Sequence, residues 1–159
     1  MGATRVFHDV QLAVHAGADV AKAIAMGADA VSIGQGTLMA MGCNRPMWFQ
    51  DGQPVDASAD HAALGTCPGA RHHCQTGRCP VGITTQDAVL EQRPQPGWGA
   101  RHLRNHLERL TMALTTLARA CGEQDVRHLE REDLVARTVE AAPMAHVPLV
   151  GTDWIPGRG

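Results

Sequence analysis

Three of the five cysteines lie within thirteen residues, in the run Cys67-Pro-Gly-Ala-Arg-His-His-Cys74-Gln-Thr-Gly-Arg-Cys79-Pro80. Thiols clustered in this way are candidate ligands for a metal ion or an iron-sulfur cluster. The spacing Cys-x6-Cys-x4-Cys-Pro is wider than the Cys-x2-Cys knuckle of a zinc ribbon and lacks the closely set cysteines of a bacterial ferredoxin. Three thiolates suit a cluster better than closed tetrahedral zinc. Gly69 and Gly77 permit positive φ where the backbone must wrap, and Pro80 removes a donor and directs the chain away. Arg71, His72, His73 and Arg78 add positive charge that lowers thiol pKa values and offsets an anionic cluster. The plain alternative is three unliganded thiols in a surface loop. A second candidate site is Gly34-Gln35-Gly36-Thr37, two glycines and a hydroxyl ahead of an expected helix Leu38–Gly42. Such a turn can cradle a phosphate or be only a tight connection. His102 and His106 have metal-ligand spacing on a long helix, where packing or solvated histidines are the commoner case.

These residues must be positioned by the elements around them. Val10–Val14 reads as a short strand, 18–26 as a helix with Asp19 at its positive end and Gly27 as its stop, and Asp29–Ile33 as an apolar strand, together a βαβ unit. Residues 43–64 are polar and turn-rich, a long excursion carrying Trp48 and Phe49. Asp87–Gln92 reads as a short helix closed by Pro94, Pro96 and Gly97. From Ala100 to Cys121 the residues Leu103, Leu107, Leu110, Leu114, Leu117 and Ala118 recur at three and four, predicting an amphipathic helix ended by Gly122, with Met112 as core filler. Residues 130–137 begin acidic and end basic, as a helix dipole prefers. The tail from Pro143 reads as extended, with Trp154-Ile155 docking it.

The chain has 159 residues, enough for one core, so a single domain or part of one is expected. A net charge of −2 and 3% aromatic residues point away from nucleic acid. No apolar run reads as a membrane span or a signal peptide, which predicts a cytoplasmic protein whose cysteines are reduced or ligated.

The run from Gly17 to Gly34, the Met41-Gly42-Cys43 step and Cys74-Gln-Thr-Gly-Arg-Cys79-Pro-Val-Gly-Ile-Thr-Thr-Gln86 resemble the FMN-binding synthase domain of glutamate synthase. The ending Pro148–Gly157 is similar to that of small glutamate synthase-like and N-methylglutamate synthase-type subunits. The resemblance implies an α/β fold, the C-terminal part of a (β/α)8 TIM barrel, with residues 1–42 as its last βα units, 43–99 as excursion and cysteine loop, and 100–159 as C-terminal helices and tail. It implies FMN, its phosphate held at Gly34, Gln35, Gly36 and Thr37, and a cluster, 3Fe-4S foremost, on Cys67, Cys74 and Cys79. The family spacing is Cys-x5-Cys-x4-Cys, so the first gap differs here by one, and Cys43 becomes a fourth ligand if residues 44–66 fold back.

The implied activity is reduction of the imine of 2-oxoglutarate and glutamine-derived ammonia to L-glutamate. Its partners would be a glutaminase and an NAD(P)H- or ferredoxin-type electron donor. The chain alone is expected to be inactive and to self-associate or co-fold with further barrel strands. The other readings are a non-enzymatic iron-sulfur electron-transfer module and a zinc-stabilised structural subunit.

Overall fold

The computed structural model describes residues 6–8, 16–43, 45–70 and 74–157, with only the backbone of 6–8. The predicted strand Val10–Val14 lies outside them. The chain divides into two units, Met1–Gly34 with Glu108–Gly159, and Gln35–Leu107. Both are mixed helix and strand. The described residues show no barrel: the strands form a two-stranded parallel sheet in one unit and an antiparallel pair in the other.

In the first unit, β1 (Val6–His8) pairs in parallel with β2 (Ala30–Ser32), Val6 opposite Ala30. Helix α1 (Gly17–Ala25) connects them, starting one residue before the expected 18–26, so a βαβ unit is present, but its first strand is Val6–His8, which the sequence reading places in no element. The Asp19 carboxylate accepts from the Ala16 amide at 3.1 Å, satisfying a donor that the first turn leaves open. Gly27 at φ 96° ends the helix, its amide donating to the Ile24 carbonyl and the Ala28 amide to Ala23. The buried face of α1, Ala21 and Ala25, packs on Ala118 and Leu129, with Ile24, Leu114 and Val126 around them. Small side chains here allow the backbones to close up. A Cβ on Gly17 would stand 2.7 Å from both the Ala113 Cβ and the Leu114 amide nitrogen.

Helix α4 (Pro96–Ala120) begins four residues before the sequence reading placed it, because proline is compatible with a first helical turn, where its missing amide has no partner to lose. Its stripe is only partly core: Leu110 and Ala118 are buried, whereas Leu107 and Met112 are exposed, Met112 at 69%. Two further expectations fail beyond it. Residues 130–137 form one 3-10 turn, Arg131–Asp133, and not a helix, since Ala136 leaves it to bridge Leu149. The tail is not simply extended either. Helix α5 (Ala141–Ala145) contains Pro143, and Ala136, Ala142 and Val147 form a second small core. The Trp154 ring is exposed, and the tail is tied instead by the Leu149 amide donating to the Trp154 carbonyl at 3.0 Å.

In the second unit, the glycine turn continues directly into helix α2 (Gln35–Ala40). The polar excursion is ordered: β3 (Met47–Gln50) and β4 (Gln53–Asp56) pair antiparallel, Trp48 opposite Val55, through Asp51 at φ 49° and Gly52 at φ 79°. Helix α3 (Ser58–Ala63) follows, and its His61 is completely buried, Nε2 lying 3.2 Å from the Arg45 carbonyl.

Candidate metal centre

The cysteine loop is held at one end far more firmly than at the other. Cys79 is 3% exposed, whereas Cys67 and Cys74 are exposed on the protein surface. The expected basic residues Arg71, His72 and His73 lie outside the described residues. Among the described residues, no group of three or more His, Cys, Asp and Glu side chains converges as a metal site, so the three thiols do not stand assembled. What is already built is the seat of Cys79.

That seat begins with the turn Cys79-Pro80-Val81-Gly82, closed by the Gly82 amide donating to the Cys79 carbonyl at 3.0 Å. Pro80 presets the turn's φ, and Gly82 at φ 80° supplies the conformation that other residues resist. A Cβ on Gly82 would come within 2.1 Å of the Leu90 carbonyl oxygen, so glycine is required there by packing as well as by φ. Pro80 and Val81 are among the largest fully buried side chains. Upstream, Gly77 at φ 72° brings its carbonyl to the Thr85 hydroxyl, which donates to it, and the Arg78 amide donates to Thr76 Oγ1 at 3.2 Å.

Arg93 clamps this turn to the excursion. Its Nη1 donates to the Pro80 carbonyl at 2.6 Å and pairs with Asp60 of α3 at 3.0 Å, while its guanidinium lies 4.4 Å from the centre of the Trp48 ring. The arginine side chain is only 12% exposed against 38% for the aspartate. Neither Arg93 nor Asp60 carries a sequence signal of this role. Each is one charged residue in a polar stretch, and only the fold brings them to the Pro80 carbonyl.

Burial pushes the Cys79 thiol up, but hydrogen bonding from the backbone and hydroxyl of Thr84 and from the Val81 and Ile83 amides outweighs it, and the net direction is down. Among the described residues the buried Thr84 hydroxyl has no hydrogen-bond partner of normal geometry. The amides therefore carry that pull. A thiolate hooded by amides is a suitable ligand for a metal or an iron-sulfur cluster, so the donor set fits such a group in kind.

The glycine turn is placed differently from expectation. Gln35, Gly36 and Thr37 are the first turn of α2 itself, not a loop before a helix at 38, and the boundary between the two units falls between Gly34 and Gln35. Gly36 is buried. Gly34 has no positive φ, and a Cβ there would meet nothing within 4 Å, so neither backbone strain nor packing demands the glycine. Open space at that Cβ is compatible with close approach of a ligand. His102 stacks on Trp98 with ring centroids 3.6 Å apart, its Nδ1 2.8 Å from the Trp98 carbonyl, consistent with the packing reading.

A profile described as the conserved region in glutamate synthase matches residues 4–48 and 58–124, which include Gly34–Thr37 and all three clustered cysteines and omit most of the β3–β4 hairpin. The chain is 48% identical over 146 residues to a glutamate synthase large subunit-like protein of Rhizobium meliloti, covering 92% of this chain and 31% of that one. It is 32% identical over 121 residues to an archaeal-type glutamate synthase (NADPH) of Dehalococcoides mccartyi, covering 76% of this chain and 19% of the relative. With an archaeal glutamate synthase (NADPH) of Methanocaldococcus jannaschii the identity is 33% over 116 residues, 73% of this chain and 18% of that one. The chain thus spans from under a fifth to under a third of the length of these relatives. No solved structure matches it. With its conserved motifs covered over most of its length, the chain belongs to the glutamate synthase family.

Proposed function

We propose that the chain is part of an FMN- and iron-sulfur-dependent glutamate synthase, an oxidoreductase forming L-glutamate from 2-oxoglutarate and glutamine-derived ammonia. Family membership supports the reaction class, and the amide-hooded Cys79 thiol supports a ligand role in it. In this reading Cys79 is the fixed ligand, and Cys67 and Cys74, on the exposed part of the loop, complete the donor set on loading, since metal binding and local folding are coupled. Gly34, Gln35, Gly36 and Thr37 hold the FMN phosphate, and β1 and β2 are two strands of a (β/α)8 barrel completed by others. When bound, the cluster supplies one-electron transfer and FMN supplies hydride transfer to the imine carbon. On the cluster side this chain's own residues hold the ligand in place: Arg93 fixes the Pro80 carbonyl, and Cys79 itself is 3% exposed, shielded from water.

A glutaminase and an NAD(P)H- or ferredoxin-type donor complete the assembly, which is placed in the cytoplasm. No helix among the described residues is long and apolar enough to cross a membrane. Together with the strands that complete the barrel, the chain should retain FMN and form glutamate from 2-oxoglutarate and ammonia. Gly36→Asp, which sets a carboxylate against the flavin phosphate, should weaken flavin retention. An assembly without flavin, or flavin affinity unchanged by that substitution, would reject the assignment.

A further inference from the structure

We propose that Arg93 is a positioning residue that aims the Val81 amide at the Cys79 sulfur through the Pro80–Val81 peptide group, and that Arg93 and Asp60 together set how readily a group held at that sulfur accepts an electron. The positioning stands on this chain's own contacts, and only the effect on electron uptake rests on the cluster reading of Cys79.

The turn Cys79-Pro80-Val81-Gly82 is closed by its Gly82 amide at 3.0 Å, its peptide bonds are trans, and Val81 keeps a negative φ, which together make it a type I turn. In such a turn the side chain of the first residue lies beside the amide two residues on, as Asp and Asn show when they accept from it. The Cys79 sulfur thus faces the Val81 N–H, one of the amides that pull its thiol downwards. That N–H shares a single planar peptide group with the Pro80 carbonyl, and across a trans bond the two point in opposite directions. Whatever fixes the oxygen therefore fixes the hydrogen.

Arg93 fixes the oxygen. Its Nη1 carries two hydrogens, one donated to the Pro80 carbonyl at 2.6 Å and the other to Asp60 Oδ2 at 3.0 Å. The Trp48 ring covers the face of the guanidinium at 4.4 Å, which leaves its in-plane donors for those oxygens. Pro80 and Val81 are fully buried, so the cation polarises their peptide group across little water and makes the Val81 N–H a stronger donor. Asp60 opposes this less than its charge suggests. Its side chain is 38% exposed against 12% for the arginine, so water screens the carboxylate more than the guanidinium. The net field at the peptide group is positive. It favours negative charge at the sulfur, and an electron added to a group held there adds such charge.

Loosening of the turn and loss of a charge give different patterns, which the test separates. Hydrogen exchange at the Val81 amide is measured in the full chain without iron by fragment-resolved mass spectrometry. The Ala57 amide, which donates to the Pro46 carbonyl at 2.8 Å in the same unit, is the reference for general loosening. Relative to it, Arg93→Met should speed exchange at Val81 by about tenfold or more, with Arg93→Lys, which keeps the charge, between that variant and the wild type. The same chains and Asp60→Asn are then reconstituted anaerobically with iron and sulfide and titrated with dithionite to read the reduction potential. Arg93→Met should lower the potential, whereas Asp60→Asn should raise it, because the opposing charge is gone while an acceptor for Arg93 remains. A turn that was only loosened would move the potential in the same direction in both variants. That pattern, or relative exchange at Val81 unchanged in Arg93→Met, would overturn the proposal. A wild type that binds no iron and sulfide would overturn the cluster reading and the electron-uptake half with it, and the exchange rates would still decide the positioning.

Discussion

At the scale of single residues, Cys79 differs from the other described thiols in combining burial with amide donors. Access and acidity act in opposite directions on its reactivity, and access wins, because a thiolate that reagent cannot reach does not react. Iodoacetamide should therefore modify Cys67, Cys74 and Cys121 well before Cys79 in the native chain, and all alike in urea, as peptide mass spectrometry can follow. The folded thiol titrates below the unfolded one, so its stabilisation is complete above the ordinary thiol value of 9.0 and is lost as pH falls through the folded value. Between those two values stability should rise with pH, and Cys79→Ser should flatten that rise in urea titrations. Gly82→Ala combines a φ of 80° with a Cβ 2.1 Å from a carbonyl oxygen. It should destabilise by more than about 2 kcal/mol.

At the scale of elements, the parts legible in sequence are those set by local rules. The glycine stop at Gly27 and the alternation of short apolar runs with a helix located α1 and β2 to within about two residues. The hairpin β3–β4 is not legible as strands although Asp51-Gly52 is a strong turn signal, because Pro54 and the polar flanks break the alternation that marks a strand. Residues 130–137 failed as a helix because charge order is a weak preference beside the pairing of Ala136 with Leu149. The cysteine loop was legible from its spacing. Its support was not, since Arg93, Asp60 and Trp48 are brought to it only by long-range folding. Arg93→Met removes a donor from the Pro80 carbonyl and leaves Asp60 unpaired, so it should cost about 1–3 kcal/mol. It should also speed Cys79 alkylation, whereas Asp125→Asn, at an exposed pair with Arg127, should change that rate little.

At the scale of the whole molecule, the parallel sheet has two strands among the described residues, whereas parallel strands are normally flanked on both edges and covered on both faces. Leu107, Met112 and Leu117 of α4 add exposed apolar surface. The chain by itself should therefore self-associate and turn over no substrate, and sedimentation giving a single monomer that also makes glutamate would contradict this. In the proposed function a cluster passes the electrons, and the cysteine loop is where this chain would hold it. The most direct measurement is iron and acid-labile sulfide per chain after anaerobic reconstitution, for the wild type and for Cys67→Ser, Cys74→Ser, Cys79→Ser and Cys121→Ser. Iron and sulfide should bind the wild type and Cys121→Ser with broad visible absorbance and be lost from the other three variants. Full retention in all three, or binding of zinc in place of iron and sulfide, would contradict the account.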